Sequence, residues 1–305
     1  SAEVWDEHFQ YNLLFDSHVH TTVSDGSLSP EQALNWAMAY GFQAIAITDH
    51  NDISGGLLAE EISINKSLPI LVIPGMEFTC CRIHMNLIGI NETIAPSSSW
   101  PSDEELQDVI RRTHELGGFV VVNHRAWSLT TEYGYQQPRI RTHPPLEALY
   151  EWGVDAFETV HEDVLDLKVL RFSKAHNLPL ISASDMHHPT QVPSGWTLAN
   201  VPSPISKESI ISAFRQHTFN STIAYWPEGP ARRVYPQQNP QWDKWAPITG
   251  FDFSYLYSER NGMYSFVNGF CHERNFQINW RRGIFLVLQG TTAWLLYELL
   301  RGLYI

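Results

Sequence analysis

Ala44-Ile45-Ala46-Ile47-Thr48-Asp49-His50 decides the fold: four apolar residues run unbroken, through a threonine, into an acid and a histidine. A short apolar run without alternation reads as a strand buried on both faces, as in a parallel sheet. Upstream, Ser29-Pro30-Glu31-Gln32 is a helix start, with a capping serine, proline at the first position and glutamine at the third. That helix is expected to run through Ala33, Ala37 and Met38 and to stop near Gly41.

The unit repeats downstream. Ile70-Leu71-Val72-Ile73 reads as a strand ending at Pro74-Gly75-Met76-Glu77, and Ser102-Asp103-Glu104-Glu105 caps a helix that closes at Gly117-Gly118. Phe119-Val120-Val121-Val122 then delivers Asn123-His124. The run from Val154 to Glu158 leads to His161, and Leu178-Pro179-Leu180-Ile181 leads to Asp185 and His187. Strand–helix repetition of this kind predicts an α/β fold with a parallel sheet. Its titratable residues gather at the C-terminal strand ends, where barrel active sites are built.

After Pro227 the alternation stops. The reading is therefore a barrel over residues 1–227 and an irregular, aromatic-rich extension over 228–305. Its tail, 283–305, is apolar and long enough to span a bilayer at about 20 residues. Gln289, Glu298 and Arg301 interrupt it. Internal charges favour a helix packed on its own domain, or at a partner or membrane surface, over a true span.

Composition narrows the partners. The net charge of −13 offers no basic field to displace counterions, so a nucleic acid is not expected as the main partner. A small anionic substrate remains compatible, because bound cations reverse the local sign of a carboxylate-rich site. Adjacent Cys80 and Cys81 could pair only under strain, and with Cys271 they imply no disulfide framework, which favours a reducing, cytoplasmic setting over a membrane-associated or exported one. Asn65-Lys66-Ser67, Asn91-Glu92-Thr93 and Asn220-Ser221-Thr222 match the glycosylation tripeptide, a pattern that also arises by chance. The 11 tryptophans read as core and tail packing before they read as a pocket.

Histidine and carboxylate groups are standard ligands for zinc, manganese and iron. His18 and His20 stand two apart on an expected strand, so both face one ion. Asp25 follows in a Ser24-Asp25-Gly26 turn, while His50, Glu77, His124, Asp185 and His187 fall just past strand ends.

Phe15-Asp16-Ser17-His18-Val19-His20-Thr21-Thr22, Ser24-Asp25-Gly26, Ile47-Thr48-Asp49-His50-Asn51, Pro74-Gly75-Met76-Glu77 and Ser184-Asp185-Met186-His187, in this order, resemble the polymerase and histidinol phosphatase (PHP) superfamily. The stretches from Glu77 through His84 to Gly89 and from Gly117 to His124 are most similar to its CehA/McbA-type branch, as is the run from Trp196 to Phe219. The resemblance covers roughly residues 13–225 and implies a distorted, TIM-like (βα)7 barrel holding two or three Mn2+, Zn2+ or Fe2+ ions.

By that resemblance His18, His20 and Asp185 bind one ion, and Glu77 bridges it to a second completed by His84 and His124. Asp25, which replaces a histidine of some relatives, holds a third with His50 and His187. Glu77 and Asp185 are then catalytic as well as ligating. His161, at a strand end, is a candidate proton donor or substrate contact. Arg125, where many relatives carry proline, is a candidate anchor for substrate oxygens, with Arg139 and Arg141 as weaker ones. The implied activity is hydrolysis of a small phosphomonoester or phosphodiester through a metal-activated hydroxide. The alternatives are a carboxyl-ester or carbamate hydrolase using the same site, and a non-catalytic, metal-stabilised binding domain.

Overall fold

The computed structural model describes residues 3, 4, 6, 8–129, 140, 142–162, 164–226, 233–235, 257–260, 264–271, 275–278 and 280–303. Two compact units result, one of residues 1–129, 140–236 and 265–269, the other of 130–139, 237–264 and 270–305.

The first unit is built on one sheet. Its strands are β1 (Glu3–Val4), β2 (Leu13–Asp16), β3 (Ala44–Ile47), β4 (Leu71–Thr79), β5 (His84–Ile88), β6 (Phe119–Val122), β7 (Ala156–His161), β8 (Val164–Asp166), β9 (Leu180–Ala183), β10 (Gly195–Asn200), β11 (Asn220–Tyr225) and β12 (Arg233–Tyr235). They follow the order β1-β11-β10-β2-β3-β4-β5-β6-β7-β8-β12, with β9 also paired to β7. Strands β2, β3 and β4 are mutually parallel, as are β6, β7 and β9. Between the two sets β5 runs antiparallel to both neighbours, and β10 runs antiparallel to β2. The sheet curls until β9 reaches β10: Ser182 N–H donates to Thr197 Oγ1 at 2.8 Å, and that hydroxyl donates to the Ser182 carbonyl at 3.0 Å. The fold is thus the expected α/β barrel, distorted by reversed strands.

Among the described residues, seven helices pack on this sheet: α1 (Pro30–Ala39), α2 (Ser54–Asn65), α3 (Asp103–Glu115), α4 (Arg125–Leu129), α5 (Leu146–Glu151), α6 (Leu167–Ala175) and α7 (Lys207–Arg215). Ser29 and Gln32 form the expected capping box on α1, and Ser102 and Glu105 form another on α3. Both helices end before glycines with left-handed backbone, Gly41 (φ +84°) and Gly117 (φ +86°), where a side chain would be strained. Helix α7 seals one end of the barrel by stacking Phe214 between Phe119 and Phe219, each at 3.9 Å between ring centroids. Full burial of one such side chain is worth about 1.5–3 kcal/mol.

Three sequence expectations change. β4 does not stop before Glu77 but runs to Thr79, because β5 pairs along it from Gly75↔Ile88 to Thr79↔His84 and supplies the edge hydrogen bonds. Gly75 permits that approach, since a Cβ there would lie 2.8 Å from the Leu87 carbonyl oxygen. Cys81 and Cys271 are each disulfide-bonded, and Cys80 is a free buried thiol, so the expectation of no disulfide fails. The region expected to be irregular carries β12 as well as, in the second unit, β13 (Tyr257–Arg260) paired antiparallel with β14 (Asn275–Ile278).

The second unit also holds α8 (Trp280–Leu303), whose segment Gly283–Leu303 is long and apolar enough, by length and composition, to cross a membrane. None of that apolar stretch is buried, and Glu298 and Arg301 lie 3.6 Å apart as an internal pair.

Candidate metal centre

Every expected ligand collects at one end of the curled sheet. His18 and His20 follow β2, just beyond the regular strand, where Val19 still bridges to Met186. His50 follows β3, Glu77 lies within β4, His84 opens β5, His124 follows β6, and Asp185 and His187 follow β9. Their ligand atoms fall into three groups, each within 4.8 Å: His18, His20 and Asp185; Glu77, His84 and His124; His20, Asp25, His50 and His187. A fourth group, His161, Glu162 and Asp185, adjoins the first.

Glu77 is the hub. Its fully buried carboxylate lies 2.7 Å from His50 Nδ1, 3.1 Å from His84 Nδ1, 3.2 Å from His124 Nε2, 3.5 Å from His20 Nε2 and 3.6 Å from His18 Nε2. In the first group, His18 Nε2 and His20 Nε2 are 2.9 Å apart, and Asp185 Oδ1 lies 3.1 and 3.0 Å from them. In the third, Asp25 lies 3.3 Å from His187 and 3.6 Å from His50. Ligands bonded at roughly 2.1 Å to one ion sit about 3.0–3.4 Å apart, so these spacings fit a cation. The donor set, imidazole nitrogen with carboxylate oxygen, suits zinc, manganese or iron. His84 Nε2 is buried without a partner, leaving that ring held by its other nitrogen alone.

The electrostatics arise from the side chains alone. Burial pushes Glu77 up, but His50, His84 and His18 around it hold it well below the carboxylate range. Asp185 is likewise held well below it against burial, by His18 and His20. Burial opposes the charge on His18, and Asp185, Glu158 and Glu77 outweigh it, so His18 is raised; His20, buried beside His50, falls to about 3. Two imidazole nitrogens facing each other cannot both carry protons cheaply. His50 and His187 rise to about 9, burial being overcome by Glu77 and Asp25 at the first and by Asp25 and Asp185 at the second.

Several positioning residues escape sequence reasoning. Glu158 on β7 is buried and accepts from His18 Nδ1 at 2.7 Å and from the His124 backbone N–H at 2.6 Å. It thereby points His18 Nε2 at the first group, as outer carboxylates do for metal-ligating histidines. Asp49 accepts from Thr21 N–H (2.7 Å) and from the Ser24 hydroxyl (2.7 Å), shaping the loop that carries Asp25. In that loop Gly26 is required, since a Cβ would lie 2.6 Å from the His20 carbonyl carbon. Asn123 donates to Glu77 at 2.8 Å, and the Thr79 hydroxyl meets His50 Nδ1 at 2.6 Å. Trp127 packs 4.8 Å from the His124 ring and 5.8 Å from His84, and Phe266 stacks on His50 at 3.8 Å. A polar residue inside a strand looks alike in sequence whether it faces a core or a ligand. Strict alternation along β7 would set Glu158 and His161, three residues apart, on opposite faces, and the irregularity between Glu158 and Val160 that brings both to the cavity has no signal in the sequence.

His124 (φ +26°) and Asp185 (φ +48°) both adopt left-handed backbone, a strain of the kind that clusters at functional sites. His161 is buried, with Nε2 3.7 Å from Asp185 and Nδ1 3.5 Å from Glu158. Burial and the charge of His124 push it well below the ordinary histidine value. Arg125 heads α4, half-buried, with its Nε unpartnered; burial disfavours its charge, while Asp166 and Glu147 support it. Arg139 and Arg141 lie outside the described residues. At His143 burial lowers the imidazole to about 3, and its Nε2 is enclosed without a partner.

A curled α/β sheet carrying adjoining His/Asp/Glu clusters at one end is the architecture of a metal-dependent barrel. The chain belongs to the PHP family, whose domain profile matches residues 16–171. The 5'-3' exoribonuclease Rnm of Salmonella typhimurium is 36% identical over 87 residues, 28% of this chain and 30% of that protein. Phosphoribosyl 1,2-cyclic phosphate 1,2-diphosphodiesterase of Eggerthella lenta is 31% identical over 86 residues, 26% of this chain and 32% of that one. The matches thus span about a third of these relatives' length. A two-domain protein of Bacteroides vulgatus containing a predicted PHP-like metal-dependent phosphoesterase superposes with a TM-score of 0.56 at 24% identity, covering 71% of this chain and 65% of that one. That likeness is one of fold.

Proposed function

We propose that this chain is a metal-dependent phosphoesterase acting on a small phosphomonoester or phosphodiester. The observation that carries the reading is Glu77, a fully buried carboxylate within 3.6 Å of five histidines drawn from three adjoining groups. Divalent ions held by those groups would supply an activated water and neutralise phosphoryl charge. The chain's own residues do the rest. Glu77, as the shared ligand, sets the spacing of the groups, and Glu158 and Asn123 fix the orientation of His18 and Glu77. His161, kept neutral by burial, offers a hydrogen bond to the leaving oxygen, and an anionic substrate is what would raise its proton affinity enough for it to act as an acid. Arg125, with its unpartnered Nε, is the anchor for a non-bridging oxygen. The net charge of −13 supports a small substrate over a long polyanion.

The test compares nitrophenyl phosphate, bis-nitrophenyl phosphate and nitrophenyl acetate with added Mn2+ or Zn2+. Turnover of either phosphate is expected, and activity confined to the acetate would overturn the reading. The second reading, a carboxyl-ester or carbamate hydrolase, draws support from the CehA/McbA resemblance and from Trp127, which lays an aromatic face beside His84 and His124. A non-catalytic scaffold is disfavoured because all nine expected ligand positions carry competent side chains and converge.

A further inference from the structure

Three tripeptides of the form Asn-X-Ser/Thr remain outside the metal chemistry: Asn65-Lys66-Ser67, Asn91-Glu92-Thr93 and Asn220-Ser221-Thr222. Each asparagine is exposed. The topology brings all three to the same end of the barrel. Helix α2 leaves the metal end at Ser54, after His50, and finishes at Asn65, before β4 begins at Leu71 beside the start of β3 (Ala44↔Leu71). β5 runs from His84 at the metal end down to Ile88, so Asn91 follows it at the far end. β10 runs antiparallel to β2, and β11 starts where β10 finishes, in the pair Asn200↔Asn220. Every acceptor therefore lies at the end of the sheet opposite the pocket of Glu77.

A second observation is independent of the tripeptides. Cys81 and Cys271 are each disulfide-bonded, and lasting disulfides belong to oxidising settings such as the secretory lumen or the cell exterior. The α8 segment Gly283–Leu303 has the length and composition of a membrane-crossing helix, which agrees with such a setting.

We propose that Asn65, Asn91 and Asn220 carry N-linked glycans, which coat the barrel end away from the metal pocket and leave the pocket mouth clear. In the transfer, the asparagine Nδ2 attacks C1 of an oligosaccharide carried on a lipid pyrophosphate. The C1–N bond forms, the C1–O bond breaks, the lipid pyrophosphate leaves with the bonding electrons, and one amide proton passes to the transferase's base. The hydroxyl two residues on, from Ser67, Thr93 or Thr222, completes the acceptor pattern. Asn220 also borders a groove of about 440 Å³ with Asp6, Lys174 and Asn177, along which the first sugars can lie.

The test uses the full-length protein isolated from its own cells and digested before and after treatment with a peptide-N-glycosidase. That enzyme leaves aspartate wherever a glycan was attached. Conversion at two or all three of Asn65, Asn91 and Asn220 is expected. In the intact protein, Asn65→Gln, Asn91→Gln and Asn220→Gln should each remove one step of gel mobility without altering phosphoester turnover. Unmodified asparagine at two or more of the positions overturns the proposal, whatever the activity of the metal centre proves to be.

Discussion

The first and third ligand groups share His20 yet sit in different solvents. His18 and His20 are fully buried and Asp185 is only 13% exposed, whereas Asp25 is 42% exposed and His187 24%. The second group, Glu77, His84 and His124, is as dry as the first. Buried, unpaired charge is costly, so a dry cluster of this kind gains most from a cation and releases it reluctantly. A half-exposed group competes with water for its ion. For the proposed metal centre, the contrast predicts two tightly held inner ions and one labile outer ion.

The largest effect should come from the residue that joins the groups. Glu77→Gln is expected to lower kcat/KM by at least about 10³-fold, roughly 4 kcal/mol of transition-state stabilisation, and to reduce metal content at the same time. Retention of full metal content would show that the groups do not depend on their hub. Glu158→Gln, which leaves every ligand in place, should weaken metal binding by about 10–100-fold, read by chelator competition. Asp25→Asn should remove one ion per chain and leave two, a loss visible by elemental analysis with the fold unchanged by circular dichroism.

Proton competition sharpens the same contrast. His50 and His187 rise to about 9 without metal, so protons must leave both rings before the outer ion binds. Affinity for that ion is expected to increase from pH 6.5 towards pH 9. Stability of the metal-free protein should move the other way. The raised histidines contribute fully below their unfolded value near 6.5, and that contribution is lost as pH rises through about 9. A metal-free melting temperature that climbs over this window would refute the assignment. The smallest effect is a control at a helix cap: Ser102→Ala should cost about 1 kcal/mol in urea denaturation and leave metal content unchanged.

Much of this was legible in the chain. Ser29-Pro30 and Ser102 marked helix starts because capping chemistry is local, and the apolar runs ending in Asp49-His50 and Asn123-His124 marked buried strands with ligands at their ends. The extent of β4 was not legible, since its passage through Pro74-Gly75 depends on β5 pairing with it. Glu158, Asp49 and Trp127 were missed because their roles depend on contacts with His18, Thr21 and His84, residues 140, 28 and 43 positions away, whereas a ligand pair such as His18 and His20 advertises itself by spacing. Arg125 was noticed only as a departure from relatives, and the structure adds a buried Nε without a partner, which supports the proposed anchor role.

The most direct measurement is a metal titration of chelator-stripped protein at pH 6.5 and pH 8.5, with bound ions counted by elemental analysis and phosphoester turnover followed alongside. Two ions retained at both pH values, a third bound only at the higher one, and activity appearing as the inner pair fills is the predicted result. Fewer than one ion per chain, or three sites filling with a single affinity that pH does not change, would contradict it.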